Sequence, residues 1–284
     1  MQQNYKSLEL DTKPPTGRNG VSHELNYNEN LINNQGLIHP KISVIIPVLS
    51  EEKLLEATLL SYPVELRKRF NIELIVSDGG STDKTIEIAE MYADIVVRHT
   101  EPHKQTIAEG RNKGAEAATG DILVFINGDT IPKTPEQFFA NICDWFNGND
   151  KNKSCSALAC PVYVAPEEII FKDKLFYTFH NFYVKLLNLI GLGMGRGECQ
   201  IVRSEIFKKV GGYNPLIAAG EDFDLYHRIN KIGHIGFADN LLVYESPRRF
   251  RKFGYFRVLA SWSVNSIAVL FYGKSVSDEW EAVR

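Results

Sequence analysis

The sequence lacks the features that would assign it to several common classes of protein. None of its four cysteines belongs to a Cys-X-X-Cys pair or has a histidine partner at zinc spacing, which argues against a zinc site. No window reaches about 18 uninterrupted apolar residues, so no transmembrane helix is indicated. The first residues contain no apolar signal-peptide core. We therefore expect reduced cysteines and a cytoplasmic location.

The chain also has no surplus of positive charge, since 32 Lys and Arg residues are balanced by 35 Asp and Glu residues. This balance gives no sign of a nucleic-acid partner. No Gly-X-Gly-X-X-Gly follows the first predicted strand, which disfavours a dinucleotide-dependent dehydrogenase. With 284 residues, 44% of them hydrophobic, the chain can bury a full core, and we expect either one domain or one domain with appendages.

Strands and helices alternate along most of the sequence. Residues 1–38 are rich in Asn, Gln, Gly and Lys without a sustained period, which predicts a disordered or loosely docked tail. Over residues 39–250, strand and helix patterns alternate, which predicts an α/β domain with a mostly parallel sheet flanked by helices. Within it, residues 167–190 predict a long, partly buried helix. Residues 251–284 predict a basic, amphipathic helical extension.

The segment from Asp121 to Thr130 is the most informative part of the sequence. Its apolar run predicts a strand buried on both faces, which leads directly into Asn127, Gly128 and Asp129. Open α/β sheets bind ligands at the carboxyl ends of their strands, and the Asp129 carboxylate suits Mg²⁺ or Mn²⁺ carrying phosphate groups. Taken alone, the pattern is also typical of a strand followed by an Asn-Gly turn.

Three more polar loops are predicted at the same edge of the sheet. They span residues 47–52, 78–85 and 220–225. The glycines of the second loop would let the backbone approach a ligand closely. Acidic residues such as those of the third loop are also ordinary partners of a helix dipole, so a functional and a structural interpretation both stay open there.

Taken together, these segments resemble the family 2 glycosyltransferases, which are nucleotide-sugar-dependent enzymes with the GT-A fold. The resemblance covers roughly residues 41–250 and rests on several ordered motifs with family-like spacing. The motifs are Ile45-Ile46-Pro47, Val76-Ser77-Asp78-Gly79-Gly80-Ser81-Thr82-Asp83, Gly110-Arg111-Asn112-Lys113-Gly114, Ala118-Thr119-Gly120-Asp121, Asn127-Gly128-Asp129-Thr130, Gly211-Gly212-Tyr213 and Gly220-Glu221-Asp222.

The resemblance implies a role for several residues of the donor site. Pro47 and Glu51 would lie along the nucleotide pocket, and Asp78 would hold the base, typically uracil. Arg111 would lie near the nucleotide-sugar. A nucleoside diphosphate sugar is therefore the expected donor, with a UDP-sugar as the first choice.

The resemblance also implies two carboxylates in the chemistry. Asp129 would bind the Mn²⁺ or Mg²⁺ that bridges the two phosphates, and Asp222 would be the general base that deprotonates the acceptor hydroxyl. A single displacement of this kind inverts the anomeric configuration. The family usually has Asp-X-Asp where this chain has Asn127-Gly128-Asp129. Asn127 keeps an acceptor oxygen without the charge, so weaker metal binding and a hydrogen bond to the ribose are both open, with Glu245 as a speculative further metal ligand.

A basic segment follows the last predicted strand of the domain. Because of this position, we favour an interpretation in which Arg248 or Arg249 folds over the donor diphosphate with its planar guanidinium group. Alternatively, the basic run and the apolar stretch 258–272 lie on an anionic membrane surface, which would suit a lipid-linked acceptor. A solvated charged face is the structural alternative.

The expected function is an inverting, metal-dependent glycosyltransferase, with peripheral contact to the inner face of a membrane left open. The alternative is a non-catalytic nucleotide-sugar-binding relative of the same fold. Asn127 favours the alternative, whereas the presence of both Asp129 and Asp222 argues for the enzyme. A nucleotidyltransferase is disfavoured because the first loop, residues 47–52, has no glycine and two acids.

Overall fold

The computed structural model describes residues 39–277, in which helices cover both faces of a seven-stranded sheet. The strands are β1 (Ile42–Val48), β2 (Ile72–Asp78), β3 (Ile95–Arg98), β4 (Ile122–Ile126), β5 (Thr130–Pro132), β6 (Ala157–Ala159), β7 (Val162–Tyr163), β8 (Cys199–Arg203), β9 (Ile235–Phe237) and β10 (Val243–Glu245). The helices are α1 (Leu55–Leu60), α2 (Val64–Arg69), α3 (Thr85–Tyr92), α4 (Ile107–Ala117), α5 (Pro135–Phe146), α6 (Phe171–Leu189), α7 (Ser204–Lys209), α8 (Glu221–Asn230), α9 (Arg248–Phe253) and α10 (Tyr255–Tyr272).

The large sheet has the strand order β3-β2-β1-β4-β8-β6-β9. β1 pairs in parallel with β2 and β4, β2 with β3, and β6 with β9, whereas β8 runs antiparallel to β4 and β6. The central strands are apolar on both faces because helices cover both, and they therefore appear in the sequence as continuous apolar runs. The predicted α/β fold with a mostly parallel sheet is confirmed.

A small second sheet, with the order β5-β10-β7, lies at the carboxyl edge of the large one. β5 begins directly after Asp129 and pairs antiparallel with β10, in a register that sets Thr130 opposite Glu245. The N–H of Ser246 donates to the Asp129 carbonyl oxygen at 3.2 Å. This sheet therefore brings the start of the basic segment beside Asp129.

Two local sequence predictions differ from the structure. The apolar pattern of residues 156–164 predicts one strand, but the structure divides it at Pro161, so that β6 belongs to the large sheet and β7 to the small one. Proline has no N–H for a ladder hydrogen bond, which explains the break. The sequence also predicts a helix over residues 51–61, but the helix begins at Leu55, because Ser50, with a φ of 55°, first turns the chain.

The C-terminal helices pack against the rest of the domain. Phe250 of α9 and Val258 of α10 are buried in the main hydrophobic core. The predicted boundary between domain and extension at residue 250 therefore falls inside α9. Within residues 39–277, no helix combines the length and the hydropathy needed to cross a bilayer. The predicted tail, residues 1–38, lies outside the described residues, as do residues 278–284 of the predicted extension.

Helix α4 approaches the sheet closely and carries a candidate site residue. Its start is fixed by a capping box, in which Glu109 N–H donates to Thr106 Oγ1 at 3.2 Å and Thr106 N–H donates to Glu109 Oε2 at 2.7 Å. Any Cβ atom at Gly114 would overlap Ile45 Cγ2, so the close packing of α4 on β1 requires glycine there. This packing positions Arg111, which lies one turn earlier in α4.

Replacing Gly114 should therefore destabilise the domain. We expect Gly114→Val to lower the free energy of unfolding by about 2 kcal/mol, because the branched side chain overpacks the interface between α4 and β1. The matched control is Glu116→Val, which adds the same side chain at an exposed position of α4 and should cost less than about 1 kcal/mol. Urea denaturation measures both variants, and equal midpoints would contradict the close contact.

Candidate active site

A cavity of about 400 Å³ lies at the carboxyl ends of β1, β2 and β4. Residues far apart in the sequence meet there, because parallel strands place their carboxyl ends at one edge of the sheet. The Gly-rich segment 191–197, the start of α8 and the inner sides of α9 and α10 complete its wall. The predicted site residues that line the cavity are Pro47, Glu51, Arg111, Asn127, Asp129, Asp222, Arg248 and Arg249.

Asp129 is paired with the basic segment inside this cavity. The guanidinium group of Arg248 lies 3.0 Å from Asp129 Oδ2 and 2.8 Å from Glu51 Oε1, and it thus bridges two acids from different loops. Burial raises the pKa of the Asp129 carboxyl, although the nearby Arg248 opposes this shift. Arg248 therefore balances the negative charge of the Asp129 carboxylate, which is the group that would bind a cation.

Arg111 connects three parts of the cavity wall through one fully buried guanidinium group. It donates to Glu221 Oε1 at 2.7 Å, to the Gly197 carbonyl oxygen at 2.7 Å and to Asn127 Oδ1 at 3.2 Å. The group also stacks over the ring of Tyr213, with 5.2 Å between Cζ and the ring centroid. The side chain lies near the predicted nucleotide-sugar site, but its Nη1 and Nη2 atoms donate to other residues of the protein.

The same contact explains how this chain accommodates Asn127 where an aspartate is usual in family 2. The amide oxygen of Asn127 accepts a hydrogen bond from Arg111, whose positive charge is already paired with Glu221. A second carboxylate at this place would add another buried negative charge. The interaction orients Asn127 without altering the charge of the loop that carries Asp129.

Asp222 lies in the first turn of α8, is half-buried, and places its carboxylate beside Gly197 of the 191–197 segment. Its Oδ1 accepts the N–H of Phe223 at 2.8 Å. Burial, followed by the neighbouring carboxylate of Glu221, raises the pKa of Asp222 to about 7, with Arg111 opposing the shift. A carboxyl group with a pKa near neutrality can accept a proton effectively at physiological pH.

A buried ion cluster beside Asp129 was missed by the sequence analysis. Arg196 donates to Glu198 Oε2 at 3.2 Å and to Glu245 Oε1 at 3.1 Å. Burial and the neighbouring Glu198 raise the pKa of Glu245 well above its usual range. Glu245, considered in the sequence as a further metal ligand, is thus paired with Arg196. The one available signal was a charged pair, Arg196 and Glu198, next to closely spaced glycines.

Asp78 differs from the other predicted site residues in its position. Its carboxylate is buried at the end of β2 and accepts the N–H groups of Gly80 at 2.9 Å and of Ser81 at 3.0 Å. It is separate from the residues that line the cavity, although its neighbours Ser77 and Gly79 belong to them. The structure therefore shows Asp78 shaping the loop, and its contact with a base remains a prediction.

Comparisons with known proteins agree with the fold and the family resemblance. The family model of glycosyl transferase family 2 matches residues 43–211. A PGL/p-HBAD biosynthesis glycosyltransferase of Mycobacterium bovis is 36% identical over 93 residues, which are 32% of this chain and 36% of that protein. An uncharacterized glycosyltransferase of Haemophilus influenzae is 42% identical over 94 residues, again 32% of this chain and 36% of the relative. The matches thus span about a third of these relatives.

Solved structures with low sequence identity share the fold. The mannosyltransferase PcManGT from Pyrobaculum calidifontis, in complex with GDP-Man and Mn²⁺, has a TM-score of 0.62 at 20% identity, over 81% of this chain and 64% of that one. Glucosyl-3-phosphoglycerate synthase from Mycobacterium tuberculosis, in complex with Mn²⁺, UDP and glucosyl-3-phosphoglycerate, has a TM-score of 0.53 at 19% identity, over 89% and 85% of the two chains.

Removing the Arg111 guanidinium should destabilise the site strongly. We expect Arg111→Met to lower the free energy of unfolding by about 3–5 kcal/mol, because Glu221 is left buried without its partner. Adding Glu221→Gln should restore part of this loss, since a neutral amide is less costly to bury than a carboxylate. Urea denaturation of the single and double variants measures both effects. A loss below about 1 kcal/mol for Arg111→Met would contradict the role of Arg111.

Proposed function

Because this chain belongs to glycosyl transferase family 2, we propose that it transfers a sugar from a nucleoside diphosphate donor to an acceptor hydroxyl group. The observation that carries this proposal is that Asp129 and Asp222 line one cavity together with Arg248 and Arg249. Such a displacement requires a carboxylate that can bind a cation and a second carboxylate that can accept a proton. It also requires positive side chains, which here are the two arginines, to stabilise the leaving diphosphate.

The donor nucleotide would lie between the first loops of the sheet. Pro47 and Glu51 line the cavity after β1, and Gly79 lines it after β2. The glycine has no side chain, so a base or ribose can approach the backbone there. We propose a UDP-sugar as the first donor to test, with Asp78 contributing to the recognition of the base.

We propose that a divalent cation balances the negative charge of the donor diphosphate. The cavity is lined by six carboxylates and five cationic side chains, so its wall has no positive surplus to neutralise a diphosphate. Within residues 39–277, no cluster of three or more His, Cys, Asp or Glu residues could hold a metal ion alone. Mg²⁺ and similar ions are nevertheless often bound by one or two carboxylates together with substrate phosphates. Asp129 fits this arrangement.

The cation, when bound, would stabilise the charge that develops on the leaving diphosphate. A cation held by Asp129 would compete with Arg248, whose guanidinium group lies 3.0 Å from Asp129 Oδ2. Arg248 would then contact the diphosphate, and Arg249, which lines the same cavity, would add a second guanidinium group there. A planar guanidinium group is well suited to that contact.

Asp222 is the proposed general base. Its carboxylate takes the proton of the acceptor hydroxyl as the acceptor oxygen bonds to the anomeric carbon of the sugar. The bond between that carbon and the diphosphate oxygen breaks in the same displacement, and the nucleoside diphosphate leaves. A single displacement of this type inverts the anomeric configuration. Burial of Asp222, which raises its pKa to about 7, increases its basicity for this step.

A non-catalytic nucleotide-sugar-binding protein is the second candidate. Two observations favour it, namely Asn127 in place of an aspartate and the pairing of Asp129 with Arg248. Asp222 distinguishes the two functions, because a carboxylate with a pKa near 7 is useful for proton transfer and unfavourable for stability at neutral pH.

Replacing Asp222 tests the proposed function. Asp222→Asn should retain donor binding but lower the rate of sugar transfer by about 10²–10⁴-fold, because the amide cannot accept the acceptor proton. In the unmodified protein, transfer should fall as the pH is lowered through about 7, since Asp222 becomes protonated there. Single-turnover assays and calorimetric donor titrations measure transfer and binding.

The matched control is Asp224→Asn, because Asp224 lies in the same helix and pairs with Arg228 at 2.7 Å. It should leave transfer nearly unchanged. Transfer by Asp222→Asn at the rate of the unmodified protein would remove Asp222 as the base. Donor binding without transfer in the unmodified protein, across a panel of acceptors, would favour the non-catalytic candidate.

A further inference from the structure

Two helices expose apolar stripes on the faces that point away from the core. In α6 the exposed residues follow one another at intervals of three or four, and in α10 they lie at similar helical spacing. Phe171 and Phe256 are 80% and 85% exposed. We call these sets the α6 stripe and the α10 stripe. The α6 stripe comprises Phe171, Leu175, Phe179, Phe182, Leu186 and Leu189, and the α10 stripe comprises Phe256, Val264, Ile267 and Phe271.

This pattern is the opposite of that expected for a helix at a water-exposed surface. The inward faces are already used, since Tyr177 and Val184 of α6 and Val258 and Val269 of α10 are buried. The outward face of a surface helix is normally charged or polar. Residues 258–272 contain no charged side chain at all. The stripes are therefore apolar surface beyond what the fold requires, which marks an interaction site.

The two helices are neighbours in the structure. The rings of His180 and Trp262 lie 5.4 Å apart between centroids, which joins the middle of α6 to the middle of α10. Where the two helices begin, Tyr255 Oη donates to Asp173 Oδ1 at 2.5 Å, and Arg251 donates to Asp173 Oδ2 at 3.3 Å. The stripes thus belong to adjacent helices that begin close together.

A basic cluster lies where α6 and α10 begin. It consists of Lys172 and Lys174 of α6, Arg251 and Lys252 of the preceding α9, and Arg257 of α10. All five side chains are exposed, and Asp173 between them is buried. Two exposed acids, Glu167 and Glu168, lie nearby, and Arg251 contacts Glu168 at 3.8 Å. With Asp173 included, positive side chains outnumber negative ones by five to three at this end of the helix pair.

We propose that the outer faces of α6 and α10 dock on an anionic lipid bilayer. Aromatic and aliphatic side chains of an interfacial helix insert at the headgroup boundary, and basic residues bind anionic headgroups beside them. A second copy of the chain would account for the apolar stripes, whereas the basic cluster beside them indicates an anionic partner. The bilayer satisfies both the apolar stripes and the positive charge.

Docking in this way would place one wall of the cavity at the membrane. His180 of α6 and Trp262, Asn265 and Ser266 of α10 line the cavity from the inner sides of the same two helices. An acceptor anchored in the bilayer could thus reach the cavity along the helix pair. The docking itself is independent of the proposed sugar transfer, and it is tested without any assay of activity.

Flotation of the full chain with lipid vesicles tests the proposal. The chain should float with vesicles of equimolar phosphatidylcholine and phosphatidylglycerol. Phe171→Ser with Phe179→Ser, and separately Phe256→Ser with Phe271→Ser, should each weaken partitioning by about tenfold or more. The matched control replaces two exposed apolar residues of other helices, Leu60→Ser in α1 and Met91→Ser in α3, and should partition normally.

A charge variant tests the second half of the proposal. Lys172→Gln with Lys174→Gln should lower partitioning into anionic vesicles by about fivefold for each charge removed, with little effect on phosphatidylcholine vesicles. Lys53→Gln with Lys68→Gln, at exposed positions elsewhere, is the matched control. All these positions are exposed, so circular dichroism should show unchanged folding.

Three results would overturn the proposal. The first is an unmodified chain that stays at the bottom of the gradient with every vesicle composition. The second is flotation to which the stripe variants and the control variants respond equally. The third is a dimer, measured by light scattering without lipid, that the stripe variants convert to a monomer while vesicle binding is absent. That last outcome would make the face an interface between two copies.

Discussion

The buried guanidinium group of Arg111 is the contact on which the candidate site depends. It joins the loop after β4, the Gly-rich segment 191–197 and the start of α8, which are far apart in the sequence. A buried cation requires several well-oriented partners to offset the loss of hydration, and Arg111 has a carboxylate, a carbonyl, an amide oxygen and an aromatic ring. Because α4 packs closely on β1, the backbone that carries Arg111 is fixed by the sheet itself.

A second property of the cavity is its dense and nearly balanced charge. Arg248 bridges Asp129 and Glu51, and Arg196 pairs with Glu198 and Glu245. Under the proposed function, a diphosphate entering this cavity would change the balance, and a cation at Asp129 together with a rearrangement of Arg248 would restore it. Asp222 lies outside these pairs, and its pKa of about 7 makes proton transfer feasible near neutral pH.

The sequence predicted the elements whose pattern is local, and it missed those that depend on distant pairing. The long apolar strands and the acids at their ends were identified because parallel strands bring those ends together, as for Asp129. The cluster of Arg196 and Glu245 was not identified from the sequence, since the two residues are 49 positions apart and neither belongs to a recognised motif.

Short elements and exposure were also difficult to predict. β5 has three residues, and its pairing with β10 depends on tertiary contacts that a local pattern does not contain. Helix α6 was expected to be partly buried, which is confirmed, but an apolar stripe in the sequence does not reveal whether it faces the core or the outside. The structure was needed to show that the α6 stripe faces outward.

The most direct test of the account is a thermal-shift panel of UDP, GDP, dTDP and their common sugar conjugates, each with Mn²⁺ or with EDTA. A ligand that binds only the folded state stabilises it by about 2.7 kcal/mol at a hundredfold excess over Kd. We predict a shift with one nucleotide class that requires Mn²⁺, is lost in Asp129→Ala and is retained in Asp239→Ala, a half-exposed carboxylate paired with Lys185. Equal shifts with Mn²⁺ and EDTA, or no shift with any nucleotide, would contradict a cation-dependent donor site at Asp129.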